Sequence, residues 1–200
     1  MAAAQAAGFL GPGSLSDHVE HALGFARGLA APAQALDLGS GGGVPGLVLA
    51  RHWPATRWTL LDRTQRRTLA LQAAVERLGL ERRVRVVTAR AEDAARGVDR
   101  AAYDLVVARS FGPPAVTAEC AVGFLRTGGL LLVSEPPMPS ADRWPADGLA
   151  LLGLEDVGVD GPPLVRRLRA AAPCPDRYPR RPGMPAKRPL WDVPRGTSNP

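Results

Sequence analysis

The sequence predicts a doubly wound, Rossmann-like α/β domain. Three observations carry that expectation: short apolar runs recur along the 200 residues, segments of helical period separate them, and a glycine string follows directly on the first apolar run. Strands that are apolar throughout are buried on both faces, which a parallel sheet with crossover helices on either side provides.

The elements follow in order. Residues 1–15 are rich in alanine and glycine and read as a flexible tail; the domain proper is expected over 16–172. "SLSDHVEHALGFARGLAAP" reads as a helix, with Ser16 as its N-cap, Val19, Leu23 and Ala26 or Arg27 on helical spacing, and Pro32 as its stop. A short buried strand at 35–38 leads to a helix at 45–52, where proline is tolerated in the first turn, and then to a second strand at 57–62. Residues 64–78 are helical, with Leu71, Val75 and Leu78 on one face and Gly79 as the stop. A third strand at 84–89, a short helix near 91–96, a fourth strand at 103–108, a helix over 115–125 ended by Gly128-Gly129, and a fifth strand at 130–135 complete the alternation. The runs 154–160 and 164–170 are joined by Gly161-Pro162-Pro163, too close for a crossover, so they read as an antiparallel pair at one sheet edge. Seven strands result, mostly parallel with a terminal hairpin, which is the plan of class I methyltransferases. Residues 171–200 hold eight prolines and read as irregular, draped over the sheet or extended; 173–200 is set apart as a Pro/Arg-rich segment.

Composition narrows the setting. Two hundred residues at 46% hydrophobic content build one full core and not two. No run approaches the roughly 18–20 apolar residues of a membrane span, and the start lacks a basic signal region, so a cytoplasmic protein is expected. Cys120 and Cys174 read as reduced core or surface thiols. The net charge of +6 is uneven: nine basic residues lie between Arg166 and Pro200 against Asp176 and Asp192. That segment suggests an anionic partner such as RNA. Lys187 is the only lysine among 25 basic residues, so a compositional bias toward arginine explains part of it.

"DLGSGGGVPG", residues 37–46, satisfies two loop patterns, Gly39-x-Gly41-x-Gly43 and the dinucleotide fingerprint Gly41-x-Gly43-x-x-Gly46. In such a sheet, ligands bind at the carboxyl ends of the strands, where bare backbone lets the ligand approach. Asp62 ends the second strand, 21 residues after Gly41, placed to accept hydrogen bonds from ribose hydroxyls. That suits an adenine dinucleotide or S-adenosylmethionine. Asp37, a carboxylate for the cationic methionine moiety, and Glu92, placed to reach the adenine, favour S-adenosylmethionine over a nicotinamide cofactor.

The acceptor is read from the end of the fourth strand, "VVARSFGPPA". It lacks the Asn/Asp-Pro-Pro-aromatic turn of exocyclic-amine methylation, neither cysteine is placed as a nucleophile, and His18, His21 and His52 form no metal cluster. An acceptor needing no base is attractive; guanine N7 carries an in-plane lone pair and no proton, so catalysis reduces to positioning. Arg109 is then an orienting group, the bland alternative being a strand-end arginine paired with Asp104 or Glu135.

Taken together, "LDLGSGGGVPGLVLA", "LLDRTQRRTLALQAAVERLGL", "ARAED", "DLVVARSF" and "RYPRRPGMPAKRPLW" resemble the guanine-N7 methyltransferases of bacterial small-subunit ribosomal RNA, the glucose-inhibited division protein B family, from about residue 16 to 191. The resemblance implies an S-adenosylmethionine site with Gly39 and Val44 along the loop, Ala91 and Glu92 on the adenosine, and Arg109 on cofactor or target guanosine; Gly41 of the loop and Asp62 on the ribose join it by their positions in the chain. It implies RNA contacts at Arg66 and Arg90, joined by Arg180, Arg181, Lys187 and Arg188 of the basic tail, and ribosomal RNA or the small subunit as partner. A monomer working without metal or membrane is expected. The chain departs from the family in a shorter amino-terminal segment, arginine for lysine at Arg66, and Glu135-Pro136 in place of Lys-Gly, a reversal of charge on the acceptor side. A small-molecule methyltransferase and a catalytically silent RNA-binding module on the same fold are the alternatives.

Overall fold

A computed structural model describes residues 2–192. The seven strands form one sheet in the order β3-β2-β1-β4-β5-β7-β6. The strands β1 (Gln34–Leu38), β2 (Arg57–Asp62), β3 (Val84–Thr88), β4 (Tyr103–Ala108) and β5 (Leu125–Ser134) are mutually parallel, while β6 (Leu154–Asp160) and β7 (Val165–Ala170) close the β5 edge antiparallel. The chain starts at β1, in mid-sheet, runs outward to β3, and returns to β4 beside β1. That reversal opens a crevice at the carboxyl ends of β1 and β4, where ligands bind in such sheets.

Period-two alternation sorts the strand residues onto two cores. Leu36, Leu38, Val106, Leu131 and Leu168 face a core closed by α5 (Ala91–Ala94), α6 (Pro114–Val122) and α7 (Ala146–Ala150). Ala35, Trp58, Leu60, Leu105 and Val107 face the other, closed by α3 (Gly46–His52), α4 (Gln65–Arg77) and Phe25, which follows α2 (Leu15–Gly24).

Several boundaries differ from those the sequence suggests. Ser14, not Ser16, caps α2, in a capping box with Asp17; the reciprocal bonds satisfy two backbone donors, which Ser16, two residues further on, does not match. A short helix, α1 (Ala2–Ala6), lies within the expected flexible tail. Leu78 follows α4 as its C-cap and is 39% exposed, so only Leu71 and Val75 of the expected stripe are buried. The helix expected to reach residue 125 ends at Val122, and Gly128-Gly129 lie inside β5. The β4 register jumps there from Tyr103↔Leu125 to Leu105↔Leu130. A positive φ at Gly128 marks a bulge in the strand, not a helix stop. A 3-10 turn (Ala141–Arg143) and α7 fill a stretch for which the sequence suggested nothing.

The turn from β1 into α3 is set by a close approach. A Cβ built on Gly46 would lie 2.5 Å from Asp37 Oδ2 and 2.6 Å from Leu60 Cδ2, both buried. Gly46→Ala is expected to destabilise the protein by about 2–3 kcal/mol through overpacking, read as a lowered urea midpoint at unchanged slope. Wild-type stability in that variant would show that Asp37 and Leu60 can move aside.

Candidate active site

The crevice at the carboxyl ends of β1 to β4 is a cleft of about 440 Å³. Leu38 and Leu61, Ala89 and Ala91, Phe111 and Val116 supply apolar walls, and Asp62 and Glu92 supply two carboxylates. The size lies within the roughly 300–1,000 Å³ of small-molecule sites.

Each wall has a local cause. Gly39 stands at φ +73, where an added Cβ would lie 2.6 Å from the Phe111 ring, so only glycine lets Phe111 close over the loop. Asp62 is buried at the end of β2; its Oδ2 accepts the Gly41 N–H at 3.0 Å and its Oδ1 the Thr64 N–H at 2.8 Å. One side chain thus ties the glycine loop to the start of α4, and each oxygen keeps a lone pair for a ribose hydroxyl. Ala91 begins α5 at the cleft wall, and Glu92 Oε1 accepts the Gly183 N–H at 2.9 Å. Val44 is buried behind the loop, and its side chain is not part of the cleft wall.

Asp37 does not reach the cleft as its sequence position suggests. It is buried behind the loop, and its Oδ2 accepts the Gly46 N–H at 2.9 Å. Burial pushes its carboxyl up to about 7, against the Gly46 hydrogen bond. The dinucleotide reading of Gly46 also falls away, since the tight space at this glycine accommodates Asp37 and Leu60.

Arg109 follows β4, is not part of the cleft wall, and pairs with neither Asp104 nor Glu135. Its Nη2 donates to His18 Nδ1 at 2.9 Å, while its Nη1 is buried without a partner. Since guanidinium only donates, His18 is the neutral tautomer with its proton on Nε2, donated to the Gly11 carbonyl at 3.1 Å. This link between the amino-terminal segment and Arg109 was invisible in the sequence, where His18 reads as one more residue of a helix. Glu135 is likewise no open charge. Its carboxylate accepts from Trp144 Nε1 and, at 2.8 Å, from Arg143 Nε, with Arg166 Nε 3.6 Å away and no side-chain surface exposed.

The expected RNA-contacting residues separate. Arg90 lines the cleft, and Arg66, exposed on α4, lies over the Phe9 ring at 5.3 Å. Arg181, Lys187 and Arg188 are exposed, whereas Arg180 is held by Glu119. Arg166, Arg167 and Arg169 pair with Asp156, Asp160 and Glu155 of the adjacent strand, so the basic tail offers less free charge than its composition implies. Arg195 lies outside the described residues. Cys120 borders the cleft, but burial pushes its thiol far above the usual range, so it stays neutral. Among the described residues no group of His, Cys, Asp and Glu could hold a metal, and no helix is long and apolar enough to cross a membrane.

A reversal-point cleft carrying a glycine loop, an acidic residue at the end of β2 and another after β3 defines a class I S-adenosylmethionine-dependent methyltransferase, and apolar walls between two carboxylates fit an adenosine. The family model for rRNA small subunit methyltransferase G, GidB, matches residues 13–138. Relatives of that name are 41% identical over 171 residues in Prochlorococcus marinus (strain MIT 9313), covering 80% of this chain and 68% of the relative. Another, from Rubrobacter xylanophilus, is 37% identical over 175 residues, covering 81% and 67%. The chain belongs to the rRNA small subunit methyltransferase G family. Solved structures agree on the fold: cofactor-bound Rv0187 from MTB superposes with a TM-score of 0.60 at 19% identity, covering 85% of this chain and 87% of that one. The S-adenosylmethionine-dependent methyltransferase SibL, in its apo form, gives 0.57 at 24% identity, covering 74% and 52%.

The buried Asp37 sets a pH dependence. Its folded-state pKa of about 7 lies above the ordinary 3.8, so its protonated form is favoured by folding, and that stability is complete below about pH 4 and lost as pH rises through about 7. Asp37→Asn keeps an acceptor for Gly46 without the charge. Its stability advantage over wild type should grow from about pH 4 to a plateau above about pH 7, at most about 4 kcal/mol, in urea titrations across that range. A variant equally destabilised at every pH would mean that the lost carboxylate geometry, not its charge, dominates.

Proposed function

We propose that this enzyme methylates N7 of a guanosine in small-subunit ribosomal RNA. Bound S-adenosylmethionine supplies an electrophilic methyl group on a sulfonium. Of the residues around the cleft, Asp62 would hold the ribose, Ala91 and Glu92 the adenosine, and Gly39 leaves the loop backbone bare beside the ligand; Gly41, held by Asp62, is not part of the cleft wall.

The observation that carries the choice of acceptor is the absence of a free base or nucleophile at the cleft among the described residues. In this reading Asp62 and Glu92 are committed to the ribose and the adenosine, the Cys120 thiol is buried and neutral, and His18, which does not line the cleft, has its Nδ1 on Arg109. Guanine N7 loses no proton on methylation, so such a site suffices if it aligns the lone pair with the methyl group. Arg109, with an unpartnered buried Nη1, is suited to orient an acceptor atom of the target base or of the cofactor. Arg90 at the cleft rim and exposed Arg66, Arg181, Lys187 and Arg188 are suited to the phosphates. The charge reversal at Glu135 does not oppose this, because Arg143 and Arg166 neutralise it internally.

Radiolabelled methyl transfer to small subunits from a methylation-deficient strain, followed by nucleoside mass spectrometry, is expected to yield 7-methylguanosine. Label on another atom, or on small molecules alone, would overturn the proposal. Asp62→Ala should raise the dissociation constant for S-adenosylhomocysteine by at least about tenfold, the scale of a lost charge-assisted hydrogen bond. Arg109→Ala should lower turnover more than RNA affinity. The triple change Arg181→Ala, Lys187→Ala and Arg188→Ala should do the converse and flatten the salt dependence of binding. If both variants lose affinity and turnover in equal measure, target positioning and phosphate grip are not separate roles.

A further inference from the structure

The carboxyl-terminal segment crosses back over α5 and α6, and one buried pair fixes where it lies. Glu119, on α6, exposes no side-chain surface. Its Oε1 accepts the backbone N–H and the Nε of Arg180, each at 2.8 Å, and its Oε2 accepts Nη2 at 2.6 Å. The same Nη2 donates to the Arg188 carbonyl at 2.7 Å, so the guanidinium closes a loop over residues 180–188. On that loop Gly183, at φ +81, directs its N–H to Glu92, and Gly183 and Ala186 form one wall of the cleft. Upstream, Arg96 holds the Pro179 carbonyl, and Arg100 holds those of Tyr178 and Cys174.

We propose that Glu119 and Arg180 are positioning residues of the cofactor site, which through the loop they close hold the Gly183 N–H on Glu92 and the tail wall against the cleft. The proposal rests on the reading of this cleft as the S-adenosylmethionine site. Immobilising a free glutamate side chain costs rotamer entropy. With one oxygen already held by Gly183, Glu92 meets the cofactor largely ordered, and its second oxygen remains for the ligand. An apolar pair in place of Glu119 and Arg180 would bury the tail as well, yet would not fix which residue stands over Glu92; the forked guanidinium on both carboxylate oxygens and on the Arg188 carbonyl sets that register. Tail docking and cofactor binding are then linked reciprocally, each favouring the other.

Calorimetric titration with S-adenosylhomocysteine and steady-state methylation of small subunits test this. Glu119→Gln and Arg180→Lys are expected to raise the dissociation constant for S-adenosylhomocysteine and the KM for S-adenosylmethionine about five- to tenfold, with kcat at saturating cofactor within about twofold of wild type. Gly183→Ala introduces a Cβ with no atom within 4 Å and strains only the left-handed backbone, so it should give a smaller rise in the same direction. In wild-type protein, S-adenosylhomocysteine should slow amide exchange across residues 178–188, a measurement that does not depend on the variants folding. Wild type that binds no S-adenosylhomocysteine would refute the cofactor reading itself. Wild type that binds it, with folded variants of unchanged affinity or with exchange across 178–188 indifferent to it, would overturn the positioning role alone.

Discussion

A carboxylate taken out of water organises the functional end of this sheet. Asp37, next to last in β1, has its side chain buried, with the Gly46 N–H on Oδ2 and the Ser40 hydroxyl beside it. Burial at this cost is tolerable because the bond to Gly46 joins the end of β1 to the start of α3 and forces the intervening residues to loop outward. That loop cannot carry a side chain at Gly46, and it presents Gly39 to the cleft. Asp62 then holds the loop from the other side through Gly41, so two acids on neighbouring strands pin one glycine run from behind and in front.

Strand positions in the parallel part were legible because burial on both faces leaves a dense apolar signature; residues 57–62 and 103–108 coincide with β2 and β4, whereas β6, a largely exposed edge strand at 154–160, was marked by its pairing across Gly161-Pro162-Pro163. The boundary failures have a common cause. Gly128-Gly129 and Ser16 carry valid local signals, but the pairing of Leu125 with Tyr103 and the capping box at Ser14 satisfy more backbone groups and prevail. The acids after β2 and β3 were legible in the site because the topology fixes what a strand end faces. Asp37 was misplaced for the complementary reason: a side chain at a strand end points to one face or the other, and its sequence neighbours do not say which.

Charge was the least legible property. Counting arginines treats them as a surface field, whereas here ion pairs consume many of them internally. Arg166, Arg167 and Arg169 meet acids across the β6–β7 hairpin, Arg143 meets Glu135, and Arg180 meets Glu119. Glu135 shows the same lesson with opposite sign, since an acid that departs from the family pattern brings its own cations and alters little outside its immediate shell. The positive charge open to a polyanion is therefore smaller than composition suggests, and among the described residues of the carboxyl-terminal segment it includes Arg181, Lys187 and Arg188.

The place of Gly183 in the chain has a temporal meaning. All seven strands lie between residues 34 and 170, so during synthesis the sheet can assemble while one wall of its ligand cleft is still unmade. A nascent or prematurely terminated chain would then possess the architecture of the enzyme without its finished pocket. The pocket therefore closes only once Gly183 and Ala186 have followed the last strand.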